Sequence, residues 1–165
     1  MHGQRHNGHG SHSSGCPEAR EMSFNPLSGE NLSVGKNQPS TLRKWPVQLH
    51  LINPVAGYFQ KSDLLVAADC TAFVLGNFHS EYLNGKSLVI ACPKLDSNIE
   101  VYLAKFTALI DQALVNTISV MIMEVPCCGG LLAMVCQAVE NAHRKVPIKA
   151  TVVSIQGEIL REEWV

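Results

Sequence analysis

The sequence predicts a three-layer α/β fold, an open and mostly parallel sheet of about five strands with helices on both faces. Three observations predict it. From Trp45 onward, short apolar runs alternate with longer stretches whose apolar residues recur three or four apart, as βαβ units require. Most of the short runs are continuously apolar, as strands covered on both faces should be. The hydrophobic fraction also changes sharply along the chain: about one residue in five up to Lys44, and more than half beyond it.

Residues 1–44 are rich in Gly, Ser, Asn and Pro and hold too little apolar surface for a core, so they read as a flexible His-rich tail. Residues 45–165 read as one domain. Within it, Val47–Ile52 alternates in part, with Gln48 and His50 on one side, and predicts a strand with one less buried face. Leu64–Ala68, Ser87–Ala91, Ile118–Met123 and Ile148–Ile155 predict buried strands. Thr71–Leu83, Ser97–Leu114 and Gly130–His143 predict the helices between them. Asn84-Gly85 offers a positive-φ stop to the first helix. Ser97 with Glu100 offers a capping box to the second. Asn53-Pro54 suits a shorter helix or turn, with Asn as cap and Pro in the first helical position. This order of elements amounts to a Rossmann-like architecture.

Charge and hydropathy exclude several classes of partner. The net charge is -1, with no cluster of Lys or Arg, so the chain carries no electrostatic footprint for nucleic acid or an acidic membrane surface. The longest uninterrupted apolar run, Leu131–Cys136, is far short of the roughly 20 residues a spanning helix needs. His, Gly, Ser and Asn stand at the start, where a secretory signal would place an apolar stretch, and this predicts a cytoplasmic protein. In that reducing compartment the 6 cysteines are expected as thiols, thiolates or metal ligands rather than structural disulfides.

Cysteine placement carries the functional argument. Cys70, Cys92 and the pair Cys127-Cys128 each follow a predicted strand at the point where the chain turns into a helix. In an open parallel sheet those carboxyl ends share one edge, and ligands bind in the crevice outside it. Strands about 5 Å apart bring such side chains within reach of one small object. Four convergent thiolates select an iron–sulfur centre, or zinc as the alternative, because soft ligands prefer soft and borderline metals. Helix N-termini after the strands would offer amide donors to an anionic cluster. Pro93 and Pro126 stiffen the turns, and Gly129-Gly130 permits close backbone approach.

Other residues rank behind these. Cys16 lies on the tail and His79 on the helix after Cys70, and either is a candidate further ligand. Asp69, Lys94, Asp96 and Glu124 flank the cysteine turns and are placed to tune a metal centre. Cys136 falls inside a helix beside Val135 and Val139 and reads as core. No glycine-rich dinucleotide fingerprint, phosphate-binding loop or serine nucleophile elbow occurs.

The strings WPVQLHLI, DLLVAADCTAF, LVIACPKLD and MEVPCCGGL together resemble the C-terminal module of ferredoxin-like (4Fe-4S) iron–sulfur proteins of anaerobic bacteria and archaea, over about residues 42–160. That resemblance matches Cys70, Cys92, Cys127 and Cys128 to the module's own cysteines. It also likens the Cys16-Pro17 segment to the end of the linker that precedes the module. The two-cluster ferredoxin segment typical of the family has no counterpart here, since no C-x2-C-x2-C-x3-C-P run occurs. The CCG element is similar to the cysteine-rich domains of heterodisulfide reductases.

The expectation is therefore a protein holding one cluster, of the [4Fe-4S] type, for electron transfer or redox sensing. It would work with a redox partner protein and without nucleic acid or membrane, and a homo-oligomer is compatible with the sequence. Two alternatives stand beside it. One is a metal-handling protein in which His2, His6, His9 and His12 of the tail capture Ni, Zn or Cu for the thiol site. The other is a redox enzyme or switch using the vicinal dithiol Cys127-Cys128.

Overall fold

A computed structural model of the chain describes residues 20–24 and 39–165. Among these residues, β1 (Met22–Ser23) pairs antiparallel with β2 (Lys44–Trp45). A five-stranded sheet follows, built from β3 (Asp63–Ala68), β4 (Ser87–Ala91), β5 (Thr117–Met123), β6 (Ile148–Val153) and β7 (Ile159–Trp164) in the order β4-β3-β5-β6-β7. All pairings are parallel except β6 with β7. The tail residues His2, His6, His9, His12 and Cys16 lie outside the described residues.

Chain direction across the sheet assigns the layers. From β3 the chain steps one way to β4 through α1 (Thr71–Val74) and a π-helical turn at Phe78–Leu83. It then crosses β3 to reach β5 through α2 (Glu100–Asp111) and continues the same way to β6 through α3 (Gly129–Asn141). Right-handed crossovers that run in opposite directions must lie on opposite faces. So α2 and α3 share one face, where they pack together, and α1 with the π turn takes the other. Tyr102, Phe106 and Leu109 of α2 and Leu131 and Val135 of α3 are fully buried against the sheet, and Phe78 and Leu83 bury the opposite side.

The five-strand expectation holds in number but not in membership. The segment Val47–Ile52 makes only a parallel bridge at Gln48, with Ile90 donating to Val47 O and Leu49 to Ile90 O. It then turns, because side chains satisfy its backbone before a ladder can. Gln48 Oε1 accepts the His50 N–H, and Lys105 Nζ donates to the carbonyls of Leu49, His50 and Ile52 at 2.6–2.9 Å. The fifth place is taken by β7, whose charged sequence ILREEW hides its strand character. The strand expected to reach Ile155 ends at Val153.

The helices differ from expectation at their ends. Thr71–Leu83 is interrupted, since Leu75 is extended and the poor helix formers Gly76 and Asn77 precede the π turn. The second helix starts at Glu100 without the Ser97 capping box; the intervening Asn98 has φ 53° and separates the two residues. It stops at Asp111, short of Leu114, which is left-handed at φ 57°. Gly85 adopts φ 79°, as the expected stop requires. The Asn53-Pro54 segment is a turn, with Asn53 Oδ1 accepting the Val55 N–H before a single 3-10 turn at Gly57–Phe59.

Candidate functional site

The strand order places the three cysteine-bearing strand ends side by side, with β3 between β4 and β5. The chain leaves β3 first towards β4 and later returns to its other side as β5, so the topological switch point lies between β3 and β5. In open α/β sheets the crevice outside the carboxyl ends at that point is where ligands bind. Cys70 stands at one lip and Cys127-Cys128 at the other, and Cys92 ends the neighbouring strand β4.

Each turn is fixed locally. Cys70 caps α1, whose first residue Thr71 is fully buried and donates through Oγ1 to Ala68 O at 2.8 Å. Cys127 and Cys128 lie on a 3-10 turn, Pro126–Cys128, that runs directly into α3 with Cys128 as N-cap. Cys92 sits on a turn closed by the amides of Leu95 and Asp96, which donate to its carbonyl at 3.1 and 2.9 Å. The Cys92 turn also reaches α3. The Pro93 ring lies 3.6 Å from where a Cβ on Gly130 would stand, which is ordinary van der Waals spacing, so the Cys92 turn and the start of α3 are neighbours.

The thiols differ in setting. Cys70 and Cys127 are exposed, Cys92 is half-buried and Cys128 is buried. Burial pushes the Cys128 thiol up; the Met123 main chain opposes this, and Cys127 and Cys70 add to it. Those influences tie Cys128 to both Cys127 and Cys70 across the switch point. Among the described residues, no three His, Cys, Asp or Glu side chains stand close enough together to hold a single metal ion. Of the expected helix N-termini, only that of α3 combines a full-length helix with a cysteine cap. The helix after Cys70 is one turn, and α2 begins well beyond Cys92.

A polar network absent from the sequence reading braces the β4 side. Asp96 Oδ2 accepts from the Cys92 amide at 2.8 Å, from the Tyr102 hydroxyl at 2.5 Å and from Gln48 Nε2 at 3.3 Å. Burial, with Asp96 as hydrogen-bond partner, pushes the Tyr102 phenol far above its ordinary range, so it remains a donor. His50 packs against the Tyr102 ring in a tilted arrangement, with centroids 4.5 Å apart and planes at 53°. Asp69 Oδ1 is buried without a hydrogen-bond partner, and burial together with the nearby Asp96 charge raises its carboxyl pKa. Asp96 and Asp69 were legible from their place beside cysteines, whereas Tyr102 and Gln48 arrive from a distant helix and a bridge that no local motif marks.

The remaining candidates have other duties. His79 Nδ1 accepts the Thr41 amide at 3.3 Å, and the His79 carbonyl accepts the Thr41 hydroxyl, so this residue fastens the segment before β2 to the π turn. Glu124 Oε1 accepts the Ile155 amide at 2.8 Å and pins the loop between β6 and β7. Cys136 is half-buried against the core. Two large apolar side chains beside the thiols are strongly exposed, Phe73 at 91% and Leu95 at 83%.

A parallel sheet with a switch point, helices on both faces and an appended antiparallel strand defines a Rossmann-like protein. Residues 56–165 match the Rossmann-like domain family, and the chain belongs to it. It is also similar to an uncharacterized protein of Archaeoglobus fulgidus, 26% identical over 124 residues that cover 72% of this chain and 82% of the relative. No solved structure matches the chain. No helix among the described residues is long and apolar enough to cross a membrane.

Proposed function

We propose that the protein is a cytoplasmic redox protein that takes up an iron–sulfur cluster on Cys70, Cys92, Cys127 and Cys128, as its resemblance to the ferredoxin-like module suggests. One observation carries the reading: the strand order β4-β3-β5 makes the three cysteine-bearing ends immediate neighbours at the switch point. The donor chemistry fits, since four thiols select a soft or borderline centre. Zinc, which also takes thiolates, is the alternative occupant of the same four residues.

A bound cluster supplies one-electron chemistry at a potential set by its surroundings. The chain's own residues set those surroundings. Asp96 fixes the Cys92 turn through the amide, Pro93 brings that turn near the start of α3, and the first amides of α3 would be offered to an anionic cluster at Cys127-Cys128. Exposed Phe73 and Leu95 give the rim an apolar border suited to a protein redox partner.

Anaerobic reconstitution with iron and sulfide tests this reading. It should give a brown protein with about four iron per chain, and Cys70→Ser, Cys92→Ser and the double change of Cys127 and Cys128 to Ser should each lower iron content. A colourless, iron-free product would sink the proposal. The adjacency of Cys127 and Cys128 on one 3-10 turn favours a second reading, a metal-free vicinal dithiol. That reading requires two thiols lost and regained together on mild oxidation and reduction of the iron-free chain.

A further inference from the structure

β7 is the outermost strand of the sheet, and both its faces are exposed along its whole length. Its far edge bonds to no other strand among the described residues. The hydrogen-bond alternation identifies which residues carry that free edge. Val165 donates to Ile148 O at 3.0 Å, and the ladder pairs Glu163 with Ala150 and Arg161 with Val152. In an antiparallel ladder, bonded and non-bonded pairs alternate. Arg161 and Glu163 therefore bond to β6, and the N–H and C=O groups of Glu162 and Trp164 point outward. The register irregularity lies at Val152/Val153, so it bends only the start of β7 and leaves Arg161–Trp164 regular.

Charges on an edge strand ordinarily keep it from pairing. Here their order makes the strand complementary to itself. Two copies meeting antiparallel about a two-fold axis at Glu162 would set Arg161 of each chain opposite Glu163 of the other. These are non-hydrogen-bonded positions, where side chains approach most closely, with Cα atoms about 4.5 Å apart. The outward groups of the two Glu162 residues bond reciprocally. Their like charges are offset within each chain by Lys149, which forms an ion pair with Glu162. Leu160 is the residue the ladder skips at the irregularity, so it and the exposed Trp164 of the second copy stand at the margins of the junction. Shifting the register by two residues either way puts Arg161 against Arg161 or Glu163 against Glu163. Of these three registers, the one centred on Glu162 sets Arg161 and Glu163 directly against their opposites.

We propose that the protein forms a homodimer through β7, joining two five-stranded sheets edge to edge about an axis at Glu162, with Arg161–Glu163 ion pairs across the junction. This is independent of the thiol site, which lies at the carboxyl ends of β3, β4 and β5.

Sedimentation equilibrium from micromolar to millimolar protein tests it. The unaltered chain should pass reversibly from 18.0 kDa to twice that mass. Arg161→Glu and Glu163→Arg should each weaken association by about tenfold or more, because both ion pairs become like-charge contacts. An equimolar mixture of the two variants should regain it, since each then faces its opposite. Restoration in the mixture separates this contact from the Arg161–Glu163 pair within one chain, which both variants lose. Glu162→Pro, which removes the outward N–H at the axis without touching the β6 ladder, should also give monomer. Far-UV circular dichroism checks the fold, and should a charge reversal disturb it, the proline variant decides. An unaltered chain that stays at 18.0 kDa, variants that associate as well as the parent, or a mixture that stays monomeric would each overturn the proposal.

Discussion

β3 buries Leu64 to Ala68 without a gap, whereas every residue of β7 is exposed, although both are six-residue strands of one sheet. The difference lies in what holds each strand. β3 has parallel neighbours on both sides and helices over both faces, so apolar burial secures it and its composition shows it. β7 has one neighbour, and β6 holds it by main-chain hydrogen bonds that any composition can make. Gly157 permits the turn into β7: its φ is 87°, and a Cβ there would run into the Val74 carbonyl oxygen. The buried strand constrains side chains, and the edge strand constrains only backbone. Cys70, Cys92 and Cys127-Cys128 stand where strands of the first kind end, at the rim where they meet water.

The largest effect is expected at Val66, which is fully buried in β3. Val66→Asp places an unpaired carboxylate in the centre of the sheet and should cost more than about 4 kcal/mol, enough to unfold a marginally stable domain. Urea denaturation followed by circular dichroism would read it, and a cooperative midpoint near the parent's would refute the layered burial described above.

A smaller and pH-dependent effect is expected at Asp69, where β3's burial meets the polar rim. Its folded carboxyl pKa lies above the unfolded value because burial and Asp96 disfavour the charge. The folded state therefore holds this proton more tightly than the unfolded chain does. The resulting contribution is present below the unfolded pKa and is lost as pH rises through the folded one. Asp69→Asn removes the penalty, so the variant should melt at a higher temperature than the parent at neutral pH. The gain should vanish in acid. A gain that persists unchanged at low pH would show that ionisation of Asp69 is not its source.

The smallest effect belongs to the edge. Leu160→Ser in β7 should change stability by no more than about 0.5 kcal/mol when measured at concentrations where the chain is monomeric. A loss of several kcal/mol there would mean that β7 is covered by something in the isolated chain and would erase the contrast with β3.

The central strands could be read from sequence because burial on both faces demands continuous apolar runs: Ser87–Ala91 agrees at both ends, and Leu64–Ala68 and Ile118–Met123 to within one residue. The positions of Cys70, Cys92 and Cys127-Cys128 after those strands were legible for the same reason. Elements held by side-chain or edge hydrogen bonds were not. Val47–Ile52 is turned aside by Gln48 and Lys105, and the helix expected across Thr71–Leu83 is broken at Gly76-Asn77. The network of Asp96, Tyr102 and Gln48 joins residues 48, 96 and 102, which no local pattern links.

By itself, the sequence determined which segments must be buried and that thiols follow three of them, because hydrophobic periodicity is a property of short stretches. Only the tertiary structure decided that those three strands are neighbours, that Asp96 braces Cys92, and that ILREEW forms the open edge of the sheet. Strand order and long-range hydrogen bonds depend on how the whole chain crosses over itself. No single stretch encodes that choice.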